Sequence, residues 1–382
     1  MKLNYYKKHN SFLDLVVKNN YDEIEINSKI KNIISNSIKE KKFNQKEINI
    51  LESINNDLFK NENKTEYSFK LTSNVIDEIL SLEEEQIAKY LIHRYRYEIY
   101  PRKRILHEYP PYLQIEPTSI CNYRCVFCFM TDSTLTDRKN GHMGKMTYET
   151  FKRVVDAAKG NVEFISLASR GEPLACPDIE KMLYYTEGKF LNLKINTNAS
   201  LINEKKAHAI LSGGVKTLVV SADAADEETY KKLRVRGDLK KVLKNLELFN
   251  SIKEKSYKKS KIITRVSGVK VSDDQNFDKM RELWGGLVDQ VAFVDYNPWE
   301  NSYDKEANNI KESCSDLWRR MFVWWDGKVN PCDVDYKSNL YVGEFDNDLS
   351  KLWNSKKYNF LRTKHLEKKR CELNPCKSCT VI

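Results

Sequence analysis

Three of the nine cysteines fall in one short stretch, Cys121-Asn-Tyr-Arg-Cys125-Val-Phe-Cys128. Thiolates at that spacing can wrap one face of a [4Fe–4S] cluster and leave the fourth iron without a protein ligand, open to a chelating molecule. A structural zinc site would call for four protein ligands, and no His or fourth Cys stands beside these three. A second group gathers toward the carboxyl end. Cys314 and Cys332 are separated by twelve residues, Gly327 and four more, and Asn374-Pro-Cys376-Lys-Ser-Cys379 adds a CxxC pair. Residues 322–330 read as a β-hairpin turning at Asp326-Gly327, which would carry Cys314 and Cys332 to one end of a small module. Four thiolates close a cluster with no open iron; the same four could equally make a structural zinc site. Cys371 is left over and could substitute for a ligand, while Cys176 reads as a small core residue. Disulfide pairing is a poor account of an odd number of cysteines grouped in this way.

The rest of the chain must hold these groups in place. Residues 1–100 contain no Gly, Pro or Cys, a composition that favours helices with few tight turns. Ser81-Leu-Glu-Glu84 has capping-box spacing, and Ile87, Ala88, Leu91 and Tyr95 recur every three to four residues, so a helix is expected from Leu82 to Tyr97. The Asn-rich stretch 55–64 reads as a linker. From Pro110 onward, short apolar runs alternate with amphipathic stretches. Strands are expected at 112–116, 162–169, 191–196, 215–221, 262–271 and 288–295, with helical segments at 148–159, 179–186, 203–211, 227–250 and 276–283. Repeats of this kind predict an α/β fold, a partial (β/α)6 TIM-like barrel whose chemistry lies at the carboxyl ends of its strands. The expected organisation is a helical N-terminal segment over 1–105, the partial barrel over 106–300, and a small C-terminal iron–sulfur module over 301–382.

The CxxxCxxC stretch, with Phe127 just before its last cysteine, resembles the radical S-adenosylmethionine (SAM) superfamily, and further motifs follow in order after successive expected strands. Ser169-Arg-Gly171-Glu172-Pro173 resembles that family's GGEP segment, with Arg170 where the first Gly is usual. Asn196-Thr-Asn198 resembles TNG with Ala199 in place of Gly. Ser221-Ala-Asp223 resembles SxDG without its Gly, and Leu233-Arg-Val-Arg236-Gly237 resembles LRG. The resemblance implies a SAM-binding [4Fe–4S] cluster on Cys121, Cys125 and Cys128. It further implies SAM contacts from Phe127, Gly171, Glu172 (to the amino group) and Asn198, with Ser221 and Arg236 on the SAM carboxylate, for which a planar guanidinium is well shaped. The C-terminal pattern, with Tyr341-Val-Gly343 and Leu349 to Asn354, resembles the SPASM/Twitch extension of these enzymes. It implies a second, auxiliary [4Fe–4S] cluster on Cys314, Cys332, Cys376 and Cys379.

By the resemblance, an electron from a flavodoxin or ferredoxin-type donor cleaves SAM to a 5′-deoxyadenosyl radical, which abstracts hydrogen from a substrate. An auxiliary cluster can accept the electron left behind, making oxidation of a hydroxyl-bearing carbon a natural outcome. That oxidation needs a base. Asp333, directly after Cys332, occupies the position where relatives that mature sulfatases carry one; Asp335 is the fallback. The leading expectation is therefore a radical SAM oxidoreductase acting on a small sugar, nucleotide-sugar or cyclitol. Radical modification of a ribosomal peptide or protein side chain is the alternative enzyme, and an iron–sulfur or zinc scaffold without catalysis is the third reading. SAM cleavage by the reduced protein separates the last from the other two.

Hydrophobic residues make up 41% of the chain and charged residues 31%, the proportions of a water-soluble globular protein. No apolar run is long enough to span a bilayer, and the amino terminus lacks a signal-peptide core, so neither membrane nor export is expected and the chain reads as cytoplasmic. The net charge of +10 lies entirely beyond residue 100. Its densest stretches, 253–261 and 364–370, hold almost no aromatic residue to stack on a base, so solvated faces rather than a nucleic-acid groove are expected. A mild preference for anionic substrates is compatible with this charge.

Overall fold

The computed structural model describes residues 5–7, 14–18 and 20–382. Its strands, in chain order, are β1 (Asp14–Val17), β2 (Tyr112–Ile115), β3 (Arg124–Cys125), β4 (Phe164–Leu167), β5 (Asn192–Thr197), β6 (Thr217–Ser221), β7 (Arg234–Val235), β8 (Ile263–Lys270), β9 (Gln290–Asp295), β10 (Arg320–Val323), β11 (Lys328–Asn330) and β12 (Gly343–Glu344). The six expected barrel strands all form. They lie parallel in the order β2-β4-β5-β6-β8-β9 and do not close on themselves, giving an open, partial barrel.

Strand alternation sorts the two faces of this sheet. Leu113, Ile115, Ile165, Leu167, Leu218 and Val220 point outward into the main core, where the crossover helices cover them. Gln114, Val219 and Ser267 point inward and line a cavity. The crossover helices begin where the sequence supplies an N-cap: Thr147, Asn203, Asp226, Asp238 and Asn276 each accept a hydrogen bond from a backbone N–H of the first helical turn. Such caps satisfy amides that no helical partner reaches.

The C-terminal module is continuous with the barrel. Strand β10 pairs parallel with β2, in register from Arg320 opposite Tyr112 to Val323 opposite Ile115, and β10 and β11 form the expected hairpin. Gly327 at its turn has φ 84°, a left-handed conformation that costs glycine nothing.

The N-terminal segment differs from expectation in three respects. It is not purely helical, because β1 pairs antiparallel with β9 and extends the sheet; the Asp-Leu-Val-Val sequence is too short to announce a strand without its partner. Helix α1 (Glu23–Lys39) is followed by α2 (Gln45–Phe59), which runs through the first half of the expected linker. After α3 (Ser73–Leu80), α4 spans Glu84–Lys103. Ser81 is the C-cap of α3 rather than the start of α4, and the side-chain carbonyl of Gln86 accepts from the Glu83 N–H instead. The expected helix over 227–250 is also broken, by the two residues of β7.

These N-terminal helices plug the amino end of the barrel. Ile87, Tyr90 and Leu91 share a core with the strand residues Tyr112, Phe164 and Leu191. At its centre lies Glu78 of α3, 3% exposed. It accepts from Tyr90 Oη (2.6 Å), Asn192 Nδ2 (2.7 Å) and Lys194 Nζ (3.0 Å), and pairs with Arg94 (3.4 Å). Burial pushes the carboxyl up, but Lys194 and Arg94 outweigh it and hold it down at about 2. Among the described residues, no helix is long and apolar enough to cross a membrane.

A carboxyl whose pKa falls on folding stabilises the fold above its ordinary range, near 4.5, and that contribution is lost as pH drops toward 2. Stability is therefore expected to decline across that window. Glu78→Gln, which leaves Lys194 and Arg94 without their anion, is expected to lose about 3–5 kcal/mol at neutral pH in chemical denaturation.

Candidate active site

The three closely spaced cysteines leave the end of β2 in a loop that turns back on itself. Cys128 N–H donates to Cys125 O (3.0 Å), Tyr123 N–H to Cys121 Sγ (3.4 Å) and Met130 N–H to Cys128 Sγ (3.5 Å). All three thiols line one cavity of about 420 Å³ at the carboxyl ends of the strands, a volume in the range of small-molecule sites. Burial pushes Cys121 and Cys128 up to about 12, with the neighbouring anions Glu172 and Cys125 adding to it, and it raises Cys125 as well. Thiolates here need a bound cation or cluster to exist near neutral pH.

The same cavity is lined by Phe127, Gly171, Glu172, Asn198, Ser221 and Asp333. Gly171 is placed against the cysteine loop so closely that a Cβ would stand 2.1 Å from Thr118 O. Glu172 is held by Asn198 N–H (2.7 Å), Thr197 Oγ1 (2.6 Å) and Leu174 N–H (3.1 Å). Burial raises its carboxyl in spite of these donors. Asn198 donates to Asn122 Oδ1 (2.9 Å), tying the end of β5 to the cysteine loop. Ala199 has φ 59°, so the position where a Gly was expected is indeed left-handed and an alanine bears the strain.

Arg236 is not brought to the cavity. It is exposed, with φ 72°, while Arg234 lines the wall. The two-residue ladder of β3 and β7 explains the difference: it sets Arg234 opposite Cys125 and ends at Val235, and the left-handed backbone at Arg236 takes the chain off the strand before the inward face recurs. Arg234 pairs with Asp223 (2.6 Å) and approaches Cys125 Sγ (3.8 Å). The segment containing it was legible as a motif; the phase within it was not. Arg170, at the other departure from the motif, donates to both carboxylate oxygens of Glu116 (2.7 and 2.6 Å) and to Tyr336 O (3.0 Å), and stacks over Trp324. It fastens the barrel to the C-terminal module.

Cys314, Cys332, Cys376 and Cys379 line a second, enclosed cavity together with His365 and Arg370, whereas Cys371 is exposed and outside it. Cys176 is buried in the main core, against Met182. Burial raises Cys332 and Cys376; the Cys376 thiolate raises Cys332 further, and the Cys379 thiolate does the same to Cys376. Asp335 lines neither cavity. It accepts from Tyr303 Oη (2.8 Å) and from the N–H groups of Asn339 and Leu340, shaping the loop beyond Cys332.

Comparison with known proteins gives two family matches: the Radical SAM superfamily over residues 115–283, and the SPASM iron–sulfur cluster-binding domain over 314–380. A GTP 3′,8-cyclase of Clostridium botulinum is 30% identical over 216 residues, covering 54% of this chain and 64% of that one. An AdoMet-dependent heme synthase of Methanosarcina barkeri is 27% identical, covering 61% of this chain and 69% of that one. The chain spans 56–64% of the length of the Clostridium botulinum cyclases it matches. Among solved structures, Streptococcus suis SuiB bound to precursor peptide SuiA superposes with a TM-score of 0.54 at 18% identity, over 80% of each chain; this is a likeness of fold.

A Radical SAM domain implies a [4Fe–4S] cluster and SAM, and a SPASM domain implies an auxiliary iron–sulfur cluster. The donor sets fit both. Three thiols open onto a cavity large enough for a further ligand, and four thiols surround an enclosed one. Among the described residues no three His, Cys, Asp or Glu side chains converge on a single ion; a cubane takes one thiolate per iron and needs no such convergence. Beside the four thiols, Arg370 is 1% exposed and donates only to carbonyls, those of Glu312, Cys376, Cys379 and Val381. A buried cation without a carboxylate fits a group of sulfur anions. His365 accepts from Cys314 N–H at Nδ1 (3.1 Å), so its proton is on Nε2, a buried donor that meets no acceptor among the described residues.

Anaerobic reconstitution is expected to load about eight irons per chain, two cubanes. Cys371→Ser is expected to retain them all, while Cys376→Ser falls toward four; iron and sulfide counting checks both.

Proposed function

Because this chain carries a Radical SAM domain and a SPASM domain, we propose that it is a radical SAM enzyme that oxidises a hydroxyl-bearing carbon of a small polyol, a sugar, nucleotide-sugar or cyclitol, to a carbonyl. The observation that carries this reading is the position of one acid between two cavities. Cys332 lines the enclosed four-thiol cavity, and its neighbour Asp333 lines the cavity shared by the three-cysteine loop. Asp333 is buried, with 9% exposure.

When bound, the two clusters and SAM supply a 5′-deoxyadenosyl radical on one side and an acceptor for one electron on the other. Turning CH–OH into C=O removes one hydrogen atom, one proton and one electron. The hydrogen atom ends on 5′-deoxyadenosine, the electron at the auxiliary site, and the proton on Asp333. A base beside the electron acceptor lets both losses occur at the same end of the substrate. The residues around the three-cysteine loop have other work: Glu172, with Asn198 and Thr197 fixing its carboxylate, would receive the SAM amino group, and Arg234 with Ser221 would hold its carboxylate. A one-electron donor of the flavodoxin or ferredoxin class would supply the electron that SAM cleavage consumes.

Asp333→Asn is expected to abolish carbonyl formation while 5′-deoxyadenosine is still released from SAM. Both products are measured by chromatography on the dithionite-reduced, reconstituted protein; full carbonyl yield from this variant would remove Asp333 from the mechanism.

A further inference from the structure

Three arginines line the large cavity: Arg170, Arg234 and Arg320. Two of them are already neutralised. Arg170 is forked onto Glu116 and Arg234 is paired with Asp223. Arg320, the first residue of β10, has no carboxylate within ion-pair distance among the described residues. Its one side-chain hydrogen bond to the protein runs from Nη2 to Tyr97 Oη (3.1 Å). Its guanidinium lies 5.0 Å from the Tyr112 ring centre, and its Nε is buried without an acceptor.

Tyr97 is a weak counter-ion. Burial raises its phenol, but Arg320 and Arg319 outweigh burial and bring it only to about 8, so it is mostly neutral at pH 7. Asp316 pairs with Arg319 (3.1 Å) and acts on Arg320 only through space, without a direct contact to it. A guanidinium offers five donors in a planar fork shaped for carboxylate or phosphate oxygens, and among the described residues no carboxylate meets this cavity-lining fork in direct contact.

The position of Arg320 says where an anion would sit. Arg320 is in register with Tyr112, three residues before the end of β2, which puts it roughly 10 Å below the strand ends that carry the cysteine loop. Helix α4 forms the floor there through Tyr97, which packs on Tyr112 and Phe164. We propose that Arg320 anchors an anionic group of the substrate, a phosphate or a carboxylate, at the floor of the cavity, leaving the carbon to be oxidised above it near Asp333. The placement of that carbon rests on the reading in the preceding subsection; the anion site does not.

The test uses the reconstituted holoenzyme saturated with SAM, under anaerobic titration calorimetry, with three probes that differ in charge: glucose, glucuronate and glucose 1-phosphate. Wild type is expected to bind at least one charged probe more tightly than glucose, and the charged probe that gains shows whether carboxylate or phosphate is preferred. Arg320→Gln is expected to weaken that binding by about tenfold or more and to leave glucose unaffected, because a hydrogen bond to a charged group is worth at least one such factor. Arg320→Lys should recover part of the loss. Tyr97→Phe, which removes the Tyr97 hydroxyl but keeps the guanidinium, should retain the preference; its loss there would mean that Arg320 merely braces α4. Equal binding of all probes by wild type, an unchanged preference in Arg320→Gln, or a loss of SAM affinity in that variant would each overturn the proposal. Probe binding needs no turnover, so the polyol-oxidation reading can fail in the Asp333→Asn assay without altering this result, and the converse holds.

Discussion

The salt bridge between Glu116 and Arg170 is the joint on which the two thiol groups depend. Both side chains are almost fully buried, 0% and 2% exposed. Ions taken that far from water are stable only when nearly every donor and lone pair is used, and here they are: Arg170 also reaches Tyr336 O and covers Trp324, while Trp325 N–H adds to Glu116. Glu116 stands at the end of β2, where the cysteine loop begins. Arg170 immediately precedes Gly171 and Glu172. Tyr336 and Trp324 belong to the module that carries Cys332. One ion pair thus fixes three segments whose relative positions decide whether the cavities share a wall.

Charge is distributed unequally around the two sulfur groups. Arg234 approaches Cys125 with its charge already balanced by Asp223. Arg370 lies beside Cys376 and Cys379 with only carbonyl partners. A buried cation without a counter-anion favours the more negative state of whatever stands next to it.

Much of the fold was legible because its determinants are local. Short, continuously buried runs such as those of β4 and β6, separated by capped amphipathic helices, specify parallel strands to within about two residues at each end. The cysteine groups were legible for the same reason, as spacing in the chain. What could not be read depends on contacts between distant segments. Strand β1 exists because β9 offers an edge, and Glu78 is acceptable in a core because Lys194 and Arg94 meet it there. The choice between Arg234 and Arg236 turned on a two-residue ladder that exists only once Cys125 and Arg234 face each other. Arg170 was visible as a departure from a motif, but its reason lay in Glu116, 54 residues earlier in the chain.

The added strands have a further consequence. An open parallel sheet ends in two rows of backbone groups with nothing to bind, each able to recruit a strand from another molecule. Here β1 covers the outer side of β9, and β10 with the rest of the hairpin covers the outer side of β2. Among the described residues, the outermost strands are short, four residues of β1 and two of β12, and a short edge makes a poor template. The strands β1 and β10 therefore occupy the two edges that the six-stranded partial barrel leaves when it does not close.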